Sequence, residues 1–262
     1  MRPRLIFTLL YASGAFMLSR NFRLQKIGDL RWLMDNYQFG LVAESIDELL
    51  ILDVSRGEQQ SVEFLNAASS VVADCFVPVG FGGGVRSLRQ MDALFRAGAD
   101  KVVLNTPLFE EPDLVSDIAR EIGAQSIVAS VDVRSVSERQ VMTTNGSMEV
   151  SGDLPSALVH LADLPFGELL LNSIDRDGTG MGLDFGLLDE IPSKVARPVI
   201  LSGGVGNAAH IAGALRDPRV SAVATANLLN FVGDGLMRAR GSLVEEGFNL
   251  ASFIPWKEDS SA

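Results

Sequence analysis

The chain has one cysteine, two histidines and two tryptophans among its 262 residues. Cys75 alone can form neither an intrachain disulfide nor a thiolate metal cluster, and His160 and His210 are too few for a zinc site. Both histidines fall in helical patterns, where a packed or surface role is expected. No metal and no redox cofactor is expected. Basic residues are also scarce: 22 Lys and Arg stand against 33 Asp and Glu, for a formal charge of −11. A field of that sign repels nucleic acid and anionic membranes, so neither is an expected partner. A phosphate would have to be held by local backbone donors, because there is no broad basic face. Pro/Ser-rich linkers and charge runs are missing as well, which leaves residues 1–262 as a single domain. The apolar stretch 5–18 is too short to cross a membrane. Following the basic residues 1–4, it looks somewhat like a signal peptide ending near Ala12-Ser13-Gly14-Ala15. It is equally the buried first strand of a parallel barrel, which should read as an unbroken apolar run. Everything downstream needs a first strand, so the strand is expected and the protein is placed in the cytoplasm.

What is present is alternation. Short apolar runs at 5–10, 48–53, 77–80, 101–105, 126–132, 168–173, 198–201 and 222–226 read as strands. Helical patterns lie between them, at 88–97, 113–122, 155–164 and 207–215, with a last one at 233–246. Pro155 suits a first helical position, where its missing N–H costs nothing. Residues 140–150, with Asn145-Gly146 at the turn, read as a β-hairpin inserted after the fifth strand. Eight parallel strands could form an open doubly wound sheet. Even spacing and an internal repeat favour closure, an α/β (βα)8 TIM barrel, for which this length is typical.

The repeat joins residues 78–86 (Pro-Val-Gly-Phe-Gly-Gly-Gly-Val-Arg) to 198–206 (Pro-Val-Ile-Leu-Ser-Gly-Gly-Val-Gly). Each copy precedes a helix and a further strand, ending at Asn105-Thr106 in one and Ala226-Asn227 in the other. Gly83 and Gly203 are 120 residues apart, which suggests two similar half-barrels. Glycines after a strand let the backbone approach a ligand, and the next helix aims its N–H groups at it. Gly83 and Gly84, and Gly203 and Gly204, are therefore candidate phosphate loops, with Asn105, Thr106, Ala226 and Asn227 beside them. A plain tight turn is the competing explanation for one such loop; two at equivalent places suit a ligand with a phosphate at each end.

The C-terminal rim of a barrel is where chemistry is done. Asp132 stands out there, because an otherwise apolar strand delivers it, and a carboxylate so placed can act as general acid or base. A loop-capping aspartate is the alternative. Residues 175–180 (Asp-Arg-Asp-Gly-Thr-Gly) form a polar loop in which Asp177 and Gly178 either bind ligand or turn the chain. At the opposite end Arg4, Glu48, Lys101 and Glu168 each begin a strand. They could close a ring of salt bridges, or be ordinary solvated charges.

These residues together resemble the cyclase subunit of imidazole glycerol phosphate synthase, in the histidine-biosynthesis barrel family. Residues 82–87 (Gly-Gly-Gly-Val-Arg-Ser), 97–102 (Ala-Gly-Ala-Asp-Lys-Val), 175–179 and 202–204 carry the resemblance, which covers nearly the whole chain. It implies a glutaminase partner docked at the bottom of the barrel, with Arg4, Glu48, Lys101 and Glu168 as the gate through which ammonia enters. It also implies two aspartates at the top. Asp132 matches the one ending strand five, but Leu10 stands at the one ending strand one, and Leu18 stands where the family has a substrate-binding lysine. Losing a positioned acid or base typically costs about 10²–10⁴-fold in rate.

That departure is similar to a paralogous branch, the glycosyl amidation-associated proteins of surface-polysaccharide gene clusters, in which a Leu-Leu pair also ends strand one. The resemblance then implies a subunit that takes ammonia from a glutaminase and passes it to a sugar amidotransferase. A working cyclase (a lyase of histidine biosynthesis) is the alternative, with Asp132 as its surviving acid/base residue. An isomerase on a related bisphosphate is disfavoured by Leu10.

Overall fold

The computed structural model describes residues 2–37, 39–57, 59–73, 75–135, 138–226 and 235–251. The first half of the chain holds β1 (Arg4–Ala12), β2 (Ala15–Arg20), β3 (Arg23–Gly28), β4 (Glu48–Asp53), β5 (Val79–Gly82) and β6 (Lys101–Leu104). The second half holds β7 (Ile127–Ser135), β8 (Arg139–Thr143), β9 (Met148–Asp153), β10 (Glu168–Ser173), β11 (Val199–Ser202) and β12 (Val220–Thr225). Eight of these strands are parallel neighbours in the order β1, β4, β5, β6, β7, β10, β11, β12. The last pairs back to β1, so the sheet is a closed barrel. The helices between them include α1 (Leu30–Asn36), α2 (Phe39–Ala43), α3 (Val62–Val72), α4 (Leu88–Arg96), α5 (Pro107–Glu110) and α6 (Pro112–Ile122). In the second half they are α7 (Leu154–Leu161), α8 (Gly186–Asp189), α9 (Ala208–Leu215) and α10 (Gly235–Glu245). Together this is a (βα)8 barrel. Among the described residues no helix is long and apolar enough to cross a membrane.

Helix starts are set by side-chain caps placed just after the strands. Ser61, Ser87, Asp153 and Asn207 accept the backbone N–H of Phe64, Gln90, Ser156 and His210 respectively. Each such cap stabilises its helix by about 1 kcal/mol. Pro155 is the second residue of α7, because Asp153 takes the cap and Leu154 the first turn position. Strand side chains alternate between two cores. The outer faces pack against the helices, with Phe7, Leu9, Leu49, Ile51, Phe81 and Leu169 fully buried there. The inner faces fill the barrel with Ile6, Leu50, Val103, Val128, Leu170, Ile200, Ala222 and Ala224.

All eight strands expected from the sequence are present, with shifted edges. The third and seventh begin at Val79 and Val199, just after Pro78 and Pro198, whose carbonyls accept from Leu49 and Leu169 at 3.0 and 2.9 Å. The inserted hairpin is β8–β9, turning at Thr144, Asn145 and Gly146, which all have positive φ. A second hairpin, β2–β3, was not expected. The stretch read as a leader or a first strand is β1 followed by the start of that hairpin, and its residues 5–12 are fully or nearly fully buried. The two hairpins follow β1 and β7, so they occupy equivalent places in the two halves.

Candidate functional site

At the N-terminal ends of the strands four charges meet. Arg4 Nη1 donates to Glu48 Oε2 at 2.9 Å and to Glu168 Oε2 at 3.3 Å, and Nη2 pairs with Glu168 Oε1. Lys101 Nζ lies 2.9 and 2.8 Å from the Glu48 oxygens and 2.7 Å from Glu168. Cations and anions thus alternate in a closed ring over the barrel floor. Burial pushes the Glu48 carboxyl up in spite of its two cations. For Glu168 burial pushes the same way, but the hydrogen bonds from Arg4 and Lys101 outweigh it and hold the carboxyl below the ordinary range. Arg4 Nε is buried and has no hydrogen-bond partner among the described residues.

The opposite end is an open mouth formed by two adjoining chambers. The first is bordered by Gly83, Gly84, Asn105, Thr106 and Asp132, the second by Gly178, Gly203 and Gly204. Asp177 and Ala226 border both. Asn227 lies outside the described residues. The two glycine loops have the same build. Gly83 and Gly203 have φ of +101° and +89°, and a Cβ there would fall 2.1 Å from the Asp53 carbonyl oxygen and 2.5 Å from that of Ser173. Each loop is therefore seated directly on the end of the neighbouring strand, β4 in one half and β10 in the other, where only glycine fits.

Asp132 faces into the first chamber. Its Oδ1 accepts from Asn172 Nδ2 at 3.0 Å and its Oδ2 from Asn105 Nδ2 at 3.4 Å. Asn105 also donates to the Ser130 and Met142 carbonyls, so its side chain is committed to holding this carboxylate and the second hairpin. Thr106 Oγ1 accepts the Thr144 N–H of that hairpin. The carboxyl keeps a small opening to the chamber but is otherwise enclosed by protein. This burial raises its pKa to about 6; the Asn172 hydrogen bond works against the rise and the Asp177 charge adds to it.

A carboxylate whose pKa is raised on folding binds its proton more tightly in the folded state, so it costs stability as pH rises from its unfolded value through about 6. Asp132→Asn removes that titration. The variant should gain about 2 kcal/mol over the wild type between pH 4 and pH 7. Unfolding in denaturant at both pH values checks this, and a difference that does not vary with pH would contradict it.

Register makes Leu10 the counterpart of Asp132. β1 pairs with β4 so that Leu10 faces Leu52, and β7 pairs with β10 so that Asp132 faces Asn172. Leu10 also pairs with Met17 and Asp132 with Met142, each on its own inserted hairpin. One half of the mouth thus carries a hydrogen-bonded carboxylate where the other carries two leucines.

Other polar rim residues serve the scaffold. Asp53 accepts the Ser55 and Gln60 N–H groups at 3.0 and 2.7 Å, and Asp175 accepts that of Ser135 at 2.6 Å. Asp177 has its carboxylate occupied by the first hairpin, accepting from Ser19 Oγ and from the Phe22 N–H at 3.1 Å. A carboxylate so engaged offers a phosphate no donor; burial raises its pKa, and the hydrogen bonds from Ser19 and Phe22 work against the rise. Asn21 adds a 3.0 Å bond to the Asp177 carbonyl, and its Nδ2 reaches Ile174 and Asp175. The first hairpin is therefore strapped to the loop after β10, across the mouth. It brings Arg20, Arg23 and Leu24 to the chambers, residues that sequence reasoning passed over.

The fold and its two ends define a (βα)8 barrel of two similar halves, with a ring of four charges at the floor and the glycine loops and Asp132 at the C-terminal mouth. More narrowly, the chain belongs to the family described as histidine biosynthesis protein, whose model matches residues 35–233. It is 45% identical over 240 residues to a protein of Parasynechococcus marenigrum (strain WH8102) provisionally named imidazole glycerol phosphate synthase subunit hisF2, covering 91% of this chain and 89% of the relative. It is 38% identical over 206 residues to the imidazole glycerol phosphate synthase subunit HisF of Hyphomonas neptunium, covering 78% and 82%. The HisF subunit of Pyrobaculum aerophilum is 35% identical over 240 residues, covering 91% and 93%. The chain is a HisF-like barrel.

Proposed function

We propose that this barrel is an ammonia conduit rather than an efficient cyclase. A glutaminase would dock over the Arg4/Glu48/Lys101/Glu168 ring, ammonia would pass up the barrel interior, and a separate amidotransferase would consume it at the mouth, amidating a surface-polysaccharide sugar in the cytoplasm. The observation that carries this reading is Leu10. It stands in the register position that holds Asp132 in the other half, and a leucine can neither move a proton nor stabilise a charged intermediate. The closed charge ring, with the open donor at Arg4 Nε, supports a gate at the bottom. The apolar barrel interior supports passage of neutral ammonia, because a charged ammonium would be excluded there. The glycine loops would hold a phosphorylated ligand at the mouth.

A working cyclase is the second reading. Asp132 favours it, because two asparagines hold it in the chamber with a pKa near neutrality, where a general acid or base works best. Reconstitution separates the two. Combined with a glutaminase and an amidotransferase from its own gene neighbourhood, the chain should support glutamine-dependent amidation of the sugar. Formation of imidazole glycerol phosphate in the parallel assay, without sugar amidation, would overturn the conduit.

A further inference from the structure

Resting on the conduit reading, we propose that the depression between the two hairpin tips, lined by Arg23, Arg56 and Arg134, is the socket in which the ammonia-consuming enzyme docks, through a segment rich in Asp and Glu. Arg23 comes from the first hairpin, Arg134 from the end of β7 and Arg56 from the loop after β4. Three separate elements thus bring guanidinium groups to one place. Other surface arginines are paired, Arg86 with Glu110 and Glu111, and Arg219 with Asp189 and Asp217. These three have no carboxylate partner among the described residues, in a chain where 33 acidic residues stand against 22 basic ones. Arg134 Nη2 donates to the Gly146 carbonyl at 2.8 Å, which holds the side chain without neutralising it. Asp175 also borders the depression, but one carboxylate against three guanidinium groups leaves positive charge uncompensated. Gathering like charges costs free energy in the isolated chain, and an anionic surface that covers them offsets that cost.

The socket is preformed. Asn21 Nδ2 donates to the Ile174 and Asp175 carbonyls at 3.1 and 2.8 Å, which ties the first hairpin to the loop after β10. Asn145 Nδ2 donates to the Ser55 carbonyl at 3.1 Å, which ties the second hairpin to the loop after β4. The tips also touch each other, since a Cβ on Gly146 would fall 2.7 Å from Phe22 Cδ2. With both hairpins held, docking has little chain to order.

Exposure and position favour a protein over a small anion. Arg23 and Arg56 are exposed, so a small anion paired with them stays in water, where such pairs are worth little. A protein segment would also bury Met148, which follows Ser147 on the border of the depression and is 58% exposed. Arginine and methionine are both enriched where protein surfaces meet. Phe22, Arg56 and Asn145 border the first chamber as well as the depression. A partner seated there covers the rim at which ammonia emerges and keeps it from water.

The test is the affinity of the full chain for the amidotransferase encoded beside it, measured by calorimetry at low and at high salt. Arg23→Gln/Arg56→Gln should weaken binding at least about tenfold at low salt and flatten its salt dependence. Neither side chain makes a hydrogen bond or ion pair with the other described residues, so this neutral variant stays folded. Arg23→Lys/Arg56→Lys should keep most of the salt dependence, because it keeps the charge. In the reconstituted assay the neutral variant should lose glutamine-driven amidation, while amidation driven by saturating free ammonium should stay at the wild-type rate. Binding that the neutral variant leaves unchanged at both salt levels would overturn the socket and leave the conduit standing. Inorganic pyrophosphate that binds the wild type but not the neutral variant, with partner affinity the same in both, would make the depression a small-anion site and overturn docking. No binding of the amidotransferase to the wild type at low salt would overturn the conduit reading and the socket with it.

Discussion

A Leu10→Asp/Leu18→Lys variant is expected to convert the phosphoribulosyl-formimino carboxamide nucleotide, at high ammonium, at least about 10²-fold faster than the wild type. The geometry is favourable at both positions. Leu10 is nearly buried but borders the first chamber, so a carboxylate there would face the same space as Asp132. Leu18 borders the second chamber with Gly203 and Gly204, so a lysine there would face the second glycine loop. An aspartate at position 10 would lie beside Leu52 rather than an asparagine, and the apolar neighbour should raise its pKa toward the range Asp132 already occupies. Single-turnover and steady-state assays of the two single variants and the double check this. Equal rates in wild type and double variant would mean that Leu10 does not limit the chemistry.

Replacing Lys101 by methionine should lower stability by about 3 kcal/mol, because it leaves Glu48 buried with one cation instead of two. For a chain of this size that corresponds to a fall in Tm of about 10 °C. The Glu48 side chain is only 2% exposed, so water cannot make up the missing hydrogen bonds. The pH dependence has two parts, from carboxyls shifted in opposite directions. Glu48 already binds its proton more tightly than an exposed glutamate, and without Lys101 it will do so more, so the variant's deficit should shrink in acid as this carboxyl is neutralised. Glu168 works the other way in the wild type. Its lowered pKa contributes stability above the ordinary glutamate range, and that contribution is lost as pH falls through the lowered value. Both effects narrow the gap between variant and wild type at low pH. Thermal melts from pH 4 to pH 8 check this, and an unchanged Tm at pH 8 would mean that the ring is not a stabilising unit.

The barrel was legible because its signals are local. Each strand is a short apolar run buried on both faces, and each glycine loop lies directly after one, so neither depends on distant residues. The two hairpins show where that stops. β8–β9 has Asn145-Gly146 at its turn, residues that take positive φ readily, and it was expected. β2–β3 turns at Asn21 and Phe22, with φ of +51° and +60°. Phenylalanine is a poor turn residue in that conformation, and the apolar run before it reads continuously from β1, so the hairpin was hidden. What holds it in place is the loop around Asp177, far along the chain, and no local pattern reports such a contact. The same limit applies to the site. Asp132 drew attention because a polar residue ending an apolar strand is conspicuous, whereas four charges that each open a strand left a ring and ordinary solvated charges both open until the family resemblance favoured a ring. The roles of Asn105 and Asp177 as holders of a carboxylate and of a hairpin, and the exposure of Arg20 and Arg23 to the second chamber, depend on tertiary contacts alone.

Ammonia-dependent turnover of the phosphoribulosyl nucleotide by the purified wild-type chain, at high ammonium and basic pH, tests the central claim most directly, because free ammonia bypasses any glutaminase. A conduit with Leu10 in place of the strand-one acid should give no turnover from a folded protein. Clear turnover would contradict it and make the chain a cyclase that works with Asp132 alone.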